Sequence, residues 1–354
     1  MSDPVTIYTV HDGSSEDNAS IVARFIPYGC TLVDLRIDDI RPLVTLPRLQ
    51  DYLGNHPFVG SVVGRVANRI RNAQFELEGS RHTLPANDDG HTLHGGPGGF
   101  HTRIWDVETI STQQIAFRYV SPNGEEGFPG ELDTTITVTA EMGRLHIDYT
   151  AITDAPTPVS LTHHPYFNLS DEPTIDGHGL QLYADTFTRT DADKLPTDYY
   201  ADPEGTPFDR RYVANPIGEA VMDHNLIHAD LERVDTQPHA RLTYSNRELV
   251  VSSTLPAVQI YTGEALASAG LHSRGGIAIE PQFPPDWVNA PKDLQSSLGP
   301  AHHTRPGTVA YAPEALSPPN RYDIILRPGQ TYHHRTTYEA IELDESLLAG
   351  LREI

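Results

Sequence analysis

Two short stretches of this sequence carry proton-transfer groups where backbone alternation can present them. In Thr162-His163-His164-Pro165-Tyr166-Phe167-Asn168-Leu169 an extended chain sends successive side chains to opposite faces, so the two histidines cannot serve one site. His163 goes with Phe167 and Leu169, while His164 goes with Tyr166 and Asn168, a polar-tipped set suited to a cleft. In Gly275-Gly276-Ile277-Ala278-Ile279-Glu280-Pro281-Gln282, Ile277 and Ile279 point one way and Ala278, Glu280 and Gln282 the other. A glutamate ending an apolar strand is costly to bury unless paired or used, and a solvated strand end is the competing reading. Residues 256–263 repeat the pattern, with Gln259 and Tyr261 opposite Val258 and Ile260; amides and phenols there suit hydroxyl recognition. In Gly64-Arg65-Val66-Ala67-Asn68-Arg69-Ile70 two arginines flank an asparagine with no acidic neighbour, and residues 91–100 form a glycine-rich loop bearing His91 and His94.

Several sharper chemistries are excluded. The loop at Gly95 lacks the Gly-Lys-Ser/Thr end of a P-loop, and no dinucleotide fingerprint opens a strand–helix unit. Despite 18 histidines there is no His-Glu-x-x-His pattern, and His91 with His94 alone do not make a metal site. No Gly-x-Ser-x-Gly nucleophile elbow occurs. One imidazole, one carboxylate and a surplus of amides, arginines and glycines remain. They suit acid–base work on a polyhydroxylated neutral ligand rather than covalent or metal chemistry.

Strands must hold these groups. Apolar residues recur mostly with period two, in short runs cut by Gly, Pro, Asn and Asp. Residues 134–140 and 145–150 read as a hairpin about the polar break at Gly143; 114–121, 241–254 and 321–326 read as further strands. Helical periodicity is weak, with a terminal turn or two expected over 344–352. At one strand per 8–12 residues the chain would hold roughly thirty strands, which predicts an all-β, large two-layer antiparallel β-sandwich with few short helices. No repeat or Ser/Gly linker divides it, so residues 1–354 read as a single domain. Residues 291–319 lack alternation and read as a loop insertion.

The 354 residues carry 25 Lys plus Arg against 48 Asp plus Glu, a net charge of −23. Clustered cations are what phosphate binding needs, so neither nucleic acid nor an anionic membrane surface is an expected partner. The single cysteine, Cys30, leaves no internal disulfide or Cys-rich cluster. No signal-peptide pattern or apolar run of about 18 residues is visible. A cytoplasmic location is expected.

Taken together, residues 64–70, Leu93-His94-Gly95-Gly96 with Gly99-Phe100 and Trp105, Ser-Pro-Asn-Gly-Glu-Glu-Gly-Phe-Pro-Gly at 121–130, 164–169, Gly-Thr-Pro-Phe-Asp-Arg at 205–210, 279–286 and Leu326-Arg327-Pro328-Gly329 resemble the aldose 1-epimerase (galactose mutarotase) family, from about Phe25 to Tyr338. The resemblance implies a galactose mutarotase-like supersandwich, interconversion of the α and β anomers of free aldohexoses of the galactose or glucose type, and no cofactor or metal. By motif, His164 resembles the family's general acid and Glu280 its general base. Asn68, Arg69, His94, Asp223 and Gln259 fall on positions that hold sugar hydroxyls, Asp223 through the short Asp223-His224-Asn225 anchor. His163 stands where Asn is frequent, and Trp287 where a small residue is usual; Trp287 and the 291–319 insertion are expected to shape the cleft rim. Tyr166, Phe167 and Trp287 are candidates for an apolar face against the sugar ring. At neutral pH the expected state is an ionised Glu280 and a substantially protonated His164, delivered to opposite sides of one hemiacetal. A monomer or weak homodimer is expected. The alternatives are a sugar-phosphate mutarotase, with Arg274 and Arg305 as a local cationic patch, and a non-catalytic carbohydrate-binding protein on the same scaffold.

Overall fold

The computed structural model describes residues 3–54, 56–228, 236–292, 294 and 323–342. Twenty-six strands succeed one another there, joined by short 3-10 turns such as Glu264–Ala269. A nine-stranded antiparallel sheet runs, edge to edge, through Asn215–Pro216, Gly179–Leu182, Gln237–Tyr244, Arg247–Ser253, Tyr332–Glu342, Arg144–Thr153, Leu132–Glu141, Gln114–Ser121 and Asp106–Thr109. A six-stranded antiparallel sheet is ordered Tyr166–Phe167, Ile277–Gln282, Ala257–Tyr261, Asp223–Ile227, Thr186–Thr190, Pro196–Ala201. A three-stranded sheet covers Tyr8–His11, Ile21–Ile26 and Thr31–Ile37.

Binary patterning explains the layers. In Leu132–Glu141 every second residue (Leu132, Thr134, Ile136, Val138, Ala140) is buried, and the threonines between face outward. One apolar cluster extends from Val10 to Ala340. Within it Phe167 of the six-stranded sheet packs on Tyr338 of the nine-stranded sheet, with ring centroids 5.5 Å apart. Ile277 and Ile279 enter this core, which turns Ala278, Glu280 and Gln282 to the other face of their strand.

The expected hairpin closes through Met142 and Gly143, both at positive φ. Residues 241–254, expected as one strand, are two: the chain reverses at Ser245, whose φ is 52°, and Gln237–Tyr244 pairs with Arg247–Ser253. The extended run at 162–169 is also broken. Thr162–His163 pairs with Val62–Val63, whereas Tyr166–Phe167 pairs with Ala278 and Ile277. Of 321–326, Ile325–Leu326 pairs with Thr157–Pro158. The insertion from 295 onward, Arg305 and the helix expected over 344–352 lie outside the described residues.

Candidate active site

Register brings the site together. Across the six-stranded sheet Asn225 faces Gln259 and Gln259 faces Glu280; His164 follows, its Nε2 3.3 Å from Glu280 Oε1. One row therefore carries four buried polar side chains from neighbouring segments. Two residues along the same face lie Asp223, Tyr261, Ala278 and Tyr166. The small Ala278 leaves room for the two tyrosine rings, 6.2 Å apart, on either side of it.

His164 is seated by its backbone: its N–H donates to the Ser61 carbonyl and its carbonyl accepts from Gly60 N–H, each at 2.9 Å. His163 points the other way, between the Tyr149 hydroxyl (3.0 Å) and the Cys30 carbonyl (2.9 Å), wholly buried. The alternation argument thus separates the two histidines correctly, but Asn168 leaves the cleft to donate to the Glu172 and Gly275 carbonyls.

The second wall comes from the loops at 64–70 and 91–99. Asn68 N–H donates to His94 Nδ1 (3.1 Å), and His94 N–H donates to the Asn68 carbonyl (3.1 Å). Gly95 makes this contact possible: its φ is 83°, and a β-carbon there would sit 1.9 Å from the Gly64 carbonyl oxygen. The glycines therefore serve close loop packing. Arg69 Nε reaches Asp88 at 2.7 Å, an acidic partner that local sequence did not reveal. Asp286 accepts from Arg71 N–H (3.0 Å) and donates its own N–H to the Arg69 carbonyl (2.8 Å), so the Pro-Asp after the glutamate strand anchors the arginine loop. On the far side Gln259 Nε2 donates to Asp223 Oδ1 at 2.7 Å, and Lys194 Nζ lies 2.5 Å from Asp223 Oδ2.

The seven residues named from sequence are linked by pairwise contacts (His164 to Glu280 and His94, His94 to Asn68, Gln259 to Asp223) and by the charges of Asp223 and Arg69 acting on Glu280, but three expectations are corrected. First, His164 and Glu280 adjoin each other on the same face rather than on opposite sides of a ligand. A hemiacetal's hydroxyl and ring oxygen share one carbon, so both can be reached from one edge. Second, Phe167 and Trp287 are core residues, Phe167 against Tyr338 and Trp287 against Tyr199 (5.0 Å). Trp287 shapes no rim. The ring that faces the cleft is Phe58, half-buried at φ 55° and packed 4.6 Å from His94 and 5.8 Å from His164. Third, burial opposes both expected charges. It holds His164 down to about 4. It pushes Glu280 well above the usual carboxylate range, aided by the Asp223 charge and opposed by Arg69. Neutral imidazole beside protonated carboxyl is the favoured resting state, with the same proton count as the ionic pair.

Phe58 and Asn225 were missed. No local pattern marks Phe58, but Asn225 sits two residues from Asp223 on a strand and so shares its face. Glu280 Oε2, Gln259 Oε1 and Asn225 Nδ2 are buried without a hydrogen-bond partner. Such atoms ask for a ligand with both donors and acceptors. His94, His164 and Glu280 also bring potential metal-ligand atoms within 4.8 Å of one another. The donor set does not fit a metal, however. His94 Nδ1 accepts the Asn68 N–H, so its Nε2 carries hydrogen and donates. Two donors remain, short of the three protein ligands of a catalytic zinc site.

An antiparallel sandwich that buries an imidazole–carboxyl contact beside unpartnered polar atoms is the arrangement of this fold and site. Its fold is that of the GalM/aldose epimerase homologue from C. elegans (TM-score 0.78, 23% identity, 96% of this chain and 100% of that one). It is also that of galactose 1-epimerase from Lactobacillus acidophilus (TM-score 0.75, 22% identity, 96% and 99%). The family model described as aldose 1-epimerase matches residues 14–306. Galactose mutarotase of Mus musculus is 34% identical over 335 residues, 89% of each chain. Aldose 1-epimerase of Escherichia coli (strain K12) is 31% identical over 351 residues, 92% of this chain and 93% of that one. The chain belongs to the aldose 1-epimerase family, and is an isomerase acting on aldose sugars.

Proposed function

We propose that the cleft interconverts the anomers of a free aldohexose of the galactose or glucose type, with Glu280 and His164 as its proton-transfer pair. The observation that carries the reading is the buried 3.3 Å contact between His164 Nε2 and Glu280 Oε1, next to a carboxyl oxygen with no partner. In ring opening Glu280 takes the proton of the C1 hydroxyl while His164 protonates the ring oxygen; the C1–O5 bond breaks and the aldehyde forms. Rotation about C1–C2 exposes the other face, the C5 hydroxyl adds to it, and the roles reverse. The pair carries one proton throughout. Its carboxyl proton crosses to the imidazole to reach the starting ionic form, so catalysis is expected inside a pH window bounded by loss and gain of that proton.

Asn68, Arg69, His94, Asp223 and Gln259 hold the hydroxyls, Asn225 extends their row, and Phe58 supplies an apolar face. His94 donates from Nε2, and Gln259, its amide committed to Asp223, accepts at Oε1. We further propose a single domain working as a cytoplasmic monomer or weak dimer; no helix among the described residues is long and apolar enough to cross a membrane. A sugar phosphate is disfavoured, because Arg274 is committed to Asp176 and Glu264.

Polarimetry of freshly dissolved pure anomers, with the spontaneous rate subtracted, tests the assignment. Glu280→Gln keeps the shape of the side chain and is expected to lose about 10²–10⁴-fold in kcat with an unchanged melting temperature. His164→Ala is expected to lose a similar factor. A Glu280→Gln chain that turns over at the wild-type rate rejects the role of base.

A further inference from the structure

The cleft is closed on one side by a hairpin that the site description leaves without a task. Its strands are Thr186–Thr190 and Pro196–Ala201. Asp191 ties the turn, accepting Asp193 and Leu195 N–H at Oδ1, both at 3.0 Å, and Lys194 N–H at its carbonyl, 3.1 Å. At the tip Lys194 takes a left-handed backbone, φ 61°, which costs a residue with a β-carbon about 1 kcal/mol or more and which glycine adopts freely. Its side chain is half exposed (48%), and its ammonium reaches 2.5 Å from Asp223 Oδ2. A cavity of about 430 Å³ lies there, lined by Thr190, Asp191, Lys194, Asp223, Tyr261 and Glu264.

An ion pair this exposed adds little to stability, with a median of about 0–1 kcal/mol. It does not offset a strained turn residue, so stability does not explain why lysine stands at this φ. Geometry does. Asp223 Oδ1 holds Gln259 Nε2, which leaves the buried Gln259 Oε1 to accept from a ligand. Lys194 holds the other oxygen. One ammonium gives Asp223 a single-point contact and leaves lone pairs on both oxygens for hydroxyls; a guanidinium fork would cover both.

We propose that Lys194 is a positioning residue for the isomerisation: from the hairpin tip it fixes the Asp223 carboxylate, through it the Gln259 amide, and balances the negative charge that faces the Glu280–His164 pair. The inference rests on the assignment of that pair under Proposed function. Lys194 is faced by Asp191 of its own turn, by Asp223 and His224 of the adjoining strand, and by Glu264. The pair is faced by Asp223, Arg69, His94, Tyr166 and Tyr261, with Tyr338 behind it, and His56 and His101 act on its imidazole. The Asp223 charge raises the proton affinity of both members. Removing the ammonium leaves that charge uncompensated, so both limbs of the pH profile move to higher pH.

The test is anomer equilibration followed by polarimetry across pH for wild type, Lys194→Met, Lys194→Arg and Lys194→Gly, with Glu280→Gln as reference. Lys194→Met is expected to raise KM about tenfold and to move the kcat window up by about half a pH unit, with kcat at its optimum little changed. Lys194→Arg restores the charge, so it is expected to return the window to the wild-type position while KM stays raised. Lys194→Gly relieves the turn. It is expected to melt no lower than wild type yet to show the Lys194→Met kinetics. Wild-type KM and pH window in Lys194→Met, beside an inactive Glu280→Gln, overturn the inference alone; so does a Lys194→Arg window that stays displaced. A Lys194→Gly chain that melts lower and loses activity only with its folded fraction makes Lys194 structural and overturns it as well. A fully active Glu280→Gln removes the assignment beneath it.

Discussion

At the scale of single residues, neighbours in sequence do unrelated work. His163 and His164 are consecutive and both are held down to about 4 by burial, but only His164 meets the cleft. His163 is fixed between a phenol and a carbonyl inside the core. His163→Ala leaves a cavity and an unsatisfied carbonyl, so it is expected to cost about 2–4 kcal/mol in denaturant unfolding while kcat per folded molecule is kept. Gln259→Leu gives the opposite split. It removes the donor to Asp223 and the acceptor facing the ligand, and is expected to raise KM about tenfold with a small change in melting temperature. Equal kcat losses in His163→Ala and His164→Ala would contradict the separation.

At the scale of elements, the site depends on how three short pieces lean on one another. The glutamate strand supplies the carboxyl, and through Asp286 it also holds the arginine loop. That loop meets the histidine loop at Gly95, with no space for a side chain. Gly95→Ala must therefore push His94 and Arg69 away together. Activity is expected to fall by about tenfold or more along with the melting temperature. Gly79→Ala is the control: its φ is 79°, and a β-carbon there meets nothing within 4 Å. It is expected to lose about 1 kcal/mol of stability and no activity. Other motifs work at this scale too. Arg65, nearly fully buried, binds the Ser121, Pro122, Pro129 and Gly130 carbonyls and so fastens the 121–130 segment. Arg210 holds the Pro207, Asn215 and Pro216 carbonyls beneath Phe208, whose ring lies 4.2 Å from that of His224.

The whole molecule stores many uncharged histidines. His101, His163, His164, His178 and His239 are each held down to about 4, chiefly by burial. Unfolding returns them to their ordinary value of about 6.5, so between these values the unfolded chain binds more protons. Their contribution is full above about pH 6.5 and is lost as pH falls towards 4. Glu280 and Asp286, raised by burial, have the opposite sign, favouring the folded state at low pH, but they are fewer. The melting temperature is therefore expected to drop steadily from pH 6.5 to 4.5, with net proton uptake on unfolding. A flat profile would show that these histidines are charged in the folded state.

The sequence by itself determined the β class, and it set His163 apart from His164 and Glu280 apart from Ile279. These depend on local facts: a period of two, turn residues, and the alternation that separates His163 from His164 and Glu280 from Ile279. It did not determine the neighbours. That Asp88 partners Arg69, that Phe58 rather than Phe167 or Trp287 faces the cleft, and that Lys194 caps Asp223 are products of register and loop packing between distant segments. The protonation state belonged to the structure as well. An ordinary carboxylate and an ordinary imidazole would favour the ionic pair at neutral pH. Only the tertiary fold removes the water that stabilises those charges, and so favours a neutral His164 beside a protonated Glu280.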